Sequence, residues 1–205
     1  VLDAREPEAV WRLVPALEER RQLENTVFVF MSDNGSFFGE HGLSIERRFP
    51  YEESIRSPML ISCPGRFPAN RQVDAFALSI DVAPTLLELA RVAMPPSVQG
   101  RSLVPQLEDA GAAGRDAFLI EYYGHDNPYP WIATIDYRAV RMGRFKYIRW
   151  IREDDAHELY DLEADPYELH NIAGDPAHRY VIARARETLS SLVLASLGLP
   201  TTRSF

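Results

Sequence analysis

The chain has 205 residues, 46% of them hydrophobic, enough to bury a substantial core in one large domain or in one domain with a smaller companion. Its net charge of −8 and its scattered Lys and Arg exclude the basic face that nucleic acid requires. A single cysteine, Cys63, excludes an internal disulfide framework and any multi-cysteine zinc site, and no apolar run reaches the length of a membrane-spanning helix.

In chain order, residues 7–22 read as helical, with Val10, Trp11, Leu13, Val14 and Leu17 on one stripe. Pro15 should break that helix or start a second one, because proline lacks a backbone N–H and crowds the preceding turn. Residues 26–31, Thr-Val-Phe-Val-Phe-Met, form a β-branched and aromatic run that suits a strand covered on both faces in a parallel sheet. The run stops abruptly at Ser32-Asp33-Asn34-Gly35. Two adjacent oxygen donors therefore stand at a strand's carboxyl end, where open α/β sheets bind ligands, with Gly35 allowing a sharp turn. Such donors suit a hard cation. Taken alone, the same residues also suit an ordinary turn, with Asp33 and Asn34 bonding the local backbone.

A long loop follows, carrying Gly39-Glu40-His41-Gly42, Arg47, Arg48 and Tyr51-Glu52-Glu53-Ser54-Ile55-Arg56-Ser57-Pro58. It leads to a short apolar strand at 59–62 and a turn at 64–68. Cys63, at the end of that strand, reads as a packed, inert thiol. Residues 79–90 read as a helix with Asp81 as N-cap, Pro84 in the first turn, and Leu86, Leu87 and Leu89 toward the core. The Gly- and Ala-rich stretch 108–115 marks a boundary. Beyond it lie short strands at 118–123, 137–142, 145–151 and 158–161, with a hairpin turn at Met142-Gly143-Arg144. Their alternation predicts one buried and one wetter face. Residues 161–166 form a further turn, and 179–197 a terminal amphipathic helix.

The series from Ser32 to Pro58 resembles the sulfatases of the alkaline-phosphatase superfamily, whose Ser-Asp-Asn-Gly segment supplies two calcium ligands and precedes Gly-Glu-His and Tyr-Glu-Glu-Ser-Ile-Arg-x-Pro. Gln99-Gly100-Arg101-Ser102-Leu103 resembles the segment that closes their catalytic domain. Arg138-Ala139-Val140-Arg141, Phe145-Lys146-Tyr147-Ile148-Arg149 and Glu158-Leu159-Tyr160-Asp161-Leu162 resemble signatures of their small C-terminal subdomain. The resemblance implies an α/β fold: residues 1–110 as the C-terminal portion of an alkaline-phosphatase-like catalytic domain, and residues 111–205 as a small α+β subdomain of a short antiparallel sheet plus a terminal helix. It implies a calcium-dependent sulfuric-ester hydrolase, exported from the cell, acting on a small-molecule or carbohydrate sulfate ester. It also implies that the first metal-binding aspartates, the formylglycine motif, and the Lys and His that follow it lie upstream of these residues.

Residue by residue, the resemblance makes Asp33 and Asn34 the metal ligands: a carboxylate and an amide oxygen suit calcium, whereas zinc calls for nitrogen or sulfur. Phosphatases and phosphonate hydrolases of the superfamily usually carry His where Asn34 stands. Arg47 takes the place of a sulfate-contacting lysine, offering a broader, always-charged fork. Its alternative is a solvated loop on which Glu46 pairs with Arg47 or Arg48, Arg48 being expected to face solvent. His41 is a candidate hydrogen-bond partner or proton donor for substrate, with a satisfied structural histidine as the alternative. His125, in a polar loop with Asp126 and Asn127, is a candidate for reading the non-sulfate part of the substrate. Glu52, Glu53 and Arg56 read as a structural brace. No nucleophile is assigned, because sulfatases make formylglycine within Cys/Ser-x-Pro/Ala-x-Arg and Cys63-Pro64-Gly65-Arg66 fails that spacing. The identity of the ester and the oligomeric state stay open. Two other readings remain: a phosphoryl or phosphonate monoester hydrolase of the same superfamily, and a catalytically silent remnant with a binding or structural role.

Overall fold

A computed structural model describes residues 6–43, 47–124, 135–153 and 156–199. The chain divides into two compact units, one of the residues up to Asp33 with Pro58–Gly114, the other of Asn34–Ser57 with the residues from Arg115 onward.

In the first unit, helix α1 (Glu6–Glu19) runs through Pro15 as a single element. The expected break does not occur: proline's fixed φ is itself helical, so the helix continues with one i→i−4 hydrogen bond missing. Strand β1 (Phe28–Met31) pairs antiparallel with β2 (Met59–Ser62), Phe28 opposite Ser62 and Met31 opposite Met59. The strand thus forms where the apolar run predicts one, yet its ladder among the described residues is antiparallel and its cover is partial. Phe30 is 49% exposed and Leu60, directly opposite, 63%. An apolar run marks a strand that can be covered; what covers it is a tertiary matter. The core of this unit is Cys63, Phe67 and Val104, with Val27, Ile61, Leu89 and Leu107 against it. Cys63 is the packed thiol expected, its Sγ 3.9 Å from the Glu24 carbonyl.

A short 3-10 turn at Ser79–Asp81 leads into α3 (Val82–Leu89). Asp81 is fully buried but does not cap the first turn of α3 with its side chain. Its Oδ2 accepts from the Leu78 N–H and its Oδ1 from the Arg101 N–H, each at 2.8 Å. Thr85 adds a second staple, donating to the Asp81 carbonyl at 2.6 Å and accepting from the Leu103 N–H at 2.9 Å. A Cβ on Gly100 would lie 2.0 Å from the Ile80 carbonyl, so only glycine permits this close approach. The backbone N–H groups of Arg101 and of buried Leu103 are thereby satisfied. Pro84 and Thr85 take the buried side of α3. Leu86 is rotated ~100° past Thr85 and is 40% exposed, contrary to its expected core position. Helix α4 (Val104–Glu108) closes the unit.

The second unit is built on an antiparallel sheet in the order β3 (Ala117–Tyr123), β4 (Asp136–Met142), β5 (Phe145–Trp150) and β6 (His157–Asp161). Gly143, at φ +53°, makes the tight turn that sets Met142 opposite Phe145. One sheet face packs Val140, Met142, Tyr147 and Leu159 against Ala185 and Leu189 of α5 (Arg179–Ser196). On the other face Tyr137, Ala139, Ile148 and Tyr160 pack together with Tyr51 against them. The expected wetter face is therefore absent from the central strands, because the 34–57 segment covers it. Among the described residues no helix is long and apolar enough to cross a membrane.

Candidate functional site

Asp33, Asn34, His41 and Arg47 sit on the segment that begins where β1 ends. Asp33 is the last residue of the first unit and Asn34 the first of the second. Ser32 Oγ lies 3.3 Å from Asp33 Oδ1, and Asn34 Nδ2 donates to the Gly35 carbonyl. The local bonds of a turn are thus present. A carboxylate beside an amide oxygen is a hard donor pair, which fits calcium. Among the described residues no three His, Cys, Asp or Glu side chains gather as a metal cluster. Calcium takes six to eight oxygens, more than these two side chains offer.

Gly35 is needed for proximity. Its N–H donates to the Ser54 carbonyl at 2.7 Å, and a Cβ there would meet the Glu53 carbonyl at 2.0 Å. This clamps the start of the segment onto α2 (Glu52–Ile55), a single helical turn. Buried Ser54 donates from Oγ to the Arg47 carbonyl at 2.6 Å, tying the middle of the segment to the same turn. The Arg47 side chain is exposed and Arg48 is half-buried, the reverse of the expectation for Arg48. Glu46 and His125 lie outside the described residues.

His41 occupies the left-handed region at φ 53°, between Gly39 at φ 124° and Gly42 at φ 70°, in the Glu40–Gly42 turn. The flanking glycines make this tight reversal accessible. The imidazole stacks on Tyr51, and its Nε2 lies 3.4 Å from Glu53 Oε2. Phe37, fully buried, meets His41, Phe49 and Tyr51 edge-on. His41 is thus held in an aromatic cluster facing a carboxylate.

Tyr51 and Glu52 reach toward the sheet. Tyr51 donates its hydroxyl to Glu158 Oε2 at 3.2 Å, and Glu158 also accepts from Tyr160 Oη at 2.7 Å and Trp150 Nε1 at 2.8 Å. Burial, and then the Glu158 carboxylate, push the Tyr51 phenol far above its ordinary range. Glu52 Oε1 lies 3.1 Å from Lys146 Nζ, and its backbone N–H donates to Glu168 Oε2 at 2.7 Å. Lys146 is 0% exposed and closes the set with an ion pair to Glu168 Oε1 at 2.6 Å. Burial pushes the Glu168 carboxyl up to about 7, against the opposing pull of the Lys146 ammonium. Sequence reasoning takes Lys146 as a plain strand residue. The available signal was its alternation with Ile148 and Trp150, which places it on the inward face.

Counted from Ser62, the string Ser62-Cys63-Pro64-Gly65-Arg66 does satisfy Ser-x-Pro-x-Arg. Its structural setting is that of a strand end: Ser62 is in register with Phe28, Cys63 and Phe67 enter the core, and the Arg66 and Phe67 N–H groups both donate to the Cys63 carbonyl at 2.9 Å. The Arg66 guanidinium is engaged by Glu108 Oε1 at 3.1 Å. Every side chain of the string except Ser62 and Pro64 thus has a packing or pairing role here.

The described architecture recurs in solved structures. BT4656 in complex with its substrate D-glucosamine-2-N,6-O-disulfate aligns at TM-score 0.82 and 34% identity, over 93% of this chain and 38% of that one. The phosphonate monoester hydrolase of Agrobacterium radiobacter aligns at TM-score 0.77 and 29% identity, over 90% and 38%. These define the class, the alkaline-phosphatase-like α/β fold. Residues 39–194 match the family described as N-sulphoglucosamine sulphohydrolase, C-terminal, and the chain is 39% identical over 160 residues to the N-acetylglucosamine-6-O-sulfatase of Bacteroides thetaiotaomicron. The chain belongs to the sulfatase family and corresponds to its C-terminal part. It spans 28% of the length of that curated relative, of which the alignment covers 78% of this chain. The Ser62 string falls inside the stretch matched by this C-terminal family, which argues further for a structural role.

Proposed function

We propose that the protein carrying this chain hydrolyses a carbohydrate or small-molecule sulfate ester, with Asp33 and Asn34 contributing to a calcium site and Arg47 to sulfate binding. The observation that carries this reading is the 39% identity to an N-acetylglucosamine-6-O-sulfatase over 78% of the chain. In sulfate ester cleavage, negative charge develops on the leaving oxygen and persists on the non-bridging oxygens, so fixed cations lower the barrier. Bound calcium would act there as a Lewis acid. Arg47 brings a planar fork of donors suited to two oxygens of one oxyanion. His41 has Nε2 turned to Glu53, which leaves Nδ1 as the ring nitrogen for a hydrogen bond to substrate. The nucleophile in this proposal is a formylglycine supplied from upstream of these residues, and His125 is the proposed reader of the non-sulfate group.

The fold shared with the phosphonate monoester hydrolase of Agrobacterium radiobacter supports a second reading, phosphonate monoester hydrolysis. Asn34 argues against it, since its amide oxygen is a poor substitute for a nitrogen ligand to a softer metal. Turnover of an aryl sulfate and an aryl phosphonate monoester by the full protein, each with calcium, zinc or manganese, separates the two. Calcium-dependent preference for the sulfate is expected. A preference for the phosphonate supported by zinc or manganese would overturn the proposal.

A further inference from the structure

We infer that Lys146, Glu168 and Glu158 are positioning residues, a buried latch that sets the geometry of the 34–57 loop; this rests on reading that loop as part of the sulfatase site. Three consecutive residues at the start of α2 take three different anchors. Tyr51 bonds Glu158, Glu52 bonds Lys146 and Glu168, and Glu53 lies beside His41 while its carbonyl lies against Gly35. Successive residues on a helical turn project about 100° apart, so three anchors in a row fix rotation as well as position. The candidate site residues hang from this turn. Gly35, next to Asn34, is bonded to the Ser54 carbonyl; Ser54 Oγ holds the Arg47 carbonyl; His41 is stacked on Tyr51.

The chemistry of the latch favours one orientation. A fully buried ammonium is costly unless paired, and Lys146 is paired twice, with Glu52 on the loop and Glu168 on the body of the unit. Rotating α2 out of place would strip Lys146 of one carboxylate and leave Glu168 Oε2 without the Glu52 N–H. Apolar packing alone tolerates such sliding, because it has no directional partner to lose. Arg56 adds a looser contact, its Nε 3.9 Å from Glu52 Oε2 on an exposed side chain, and does not substitute for Lys146.

The test is Lys146→Met and, as the milder change that keeps side-chain shape, Glu168→Gln, both in the full protein. Hydrogen exchange of backbone amides and steady-state kinetics on an aryl sulfate are measured for each. The expected result is a rise of about tenfold or more in exchange confined to 34–57, with β3 and β4 protected as in the parent. KM should rise several-fold in both variants, since a partly unfolded population would lower kcat and leave KM alone. Exchange that is unchanged, or raised equally across the sheet and α5, would overturn the latch. The exchange result stands apart from catalysis: absence of turnover in the parent protein would sink the sulfatase reading while the exchange pattern still decides the latch.

Discussion

The imidazole of His41 lies flat against the phenol of Tyr51, ring centroids 4.1 Å apart and planes 10° from parallel. The same phenol donates to Glu158 of β6, so one side chain joins a candidate site histidine to the C-terminal sheet. Tyr51 therefore has two separable roles, one through its ring and one through its hydroxyl.

Tyr51→Phe should keep the stack and cost about 1 kcal/mol, because Glu158 retains its bonds from Tyr160 and Trp150. Tyr51→Ala should cost about 3–5 kcal/mol, the usual loss for removing a packed aromatic ring. Denaturant unfolding of both variants checks this. Equal losses would mean that the ring's contacts with His41, Phe37 and Tyr160 contribute nothing.

Asp33→Asn preserves side-chain size and turn-forming bonds but removes one negative charge from the proposed metal site. Calcium affinity should fall by about tenfold or more and turnover should be largely lost. The unfolding midpoint in chelator should move little, within roughly 0.5 kcal/mol. Calorimetric titration beside sulfate release reads both. Calcium binding unchanged from the parent would reduce Asp33 to a turn former.

Glu168 gives stability a pH dependence of known sign. Its folded pKa of about 7 lies above the ordinary 4.5, so burial favours the neutral acid. The stability it contributes is full below about pH 4.5 and is lost as pH rises through about 7. Glu168→Gln is neutral throughout, so between pH 5 and 8 the parent should lose denaturant stability relative to the variant. Parallel pH profiles would mean that the ion pair with Lys146 fully offsets the burial.

Ser62→Ala in the full protein should leave aryl sulfate turnover within about twofold, because the Ser62 string ends a strand and enters a core. The 205 residues expressed alone should hydrolyse no aryl sulfate above a buffer blank. Loss of turnover in Ser62→Ala, together with a formylglycine mass at position 62 of the parent protein, would identify this serine as the nucleophile and overturn both expectations.

Much of the fold was legible because its cues are local. Period-two alternation and the Gly143 turn set β4 and β5 to within a residue or two of where the sequence predicts them, and the apolar stripe of the last helix did the same for α5. The family likeness was equally local, carried by short ordered strings such as Gly39-Glu40-His41-Gly42 and Tyr51-Glu52-Glu53. What stayed hidden depends on partners far along the chain. Pro15 and Leu86 were misplaced because a proline's tolerance and a leucine's burial depend on the surrounding fold.

The residue types, their order and the period of each strand were determined by the sequence itself, and with them the chemistry offered at Asp33, Asn34, His41 and Arg47. That Lys146 is a dry cation, and that Glu52, 94 positions away, is one of its partners, was decided only by the tertiary structure. The reason is physical: a charge on an alternating strand can face water or a carboxylate with the same local pattern. Only the packing of the 34–57 loop onto the sheet removes the water and leaves the ion pair.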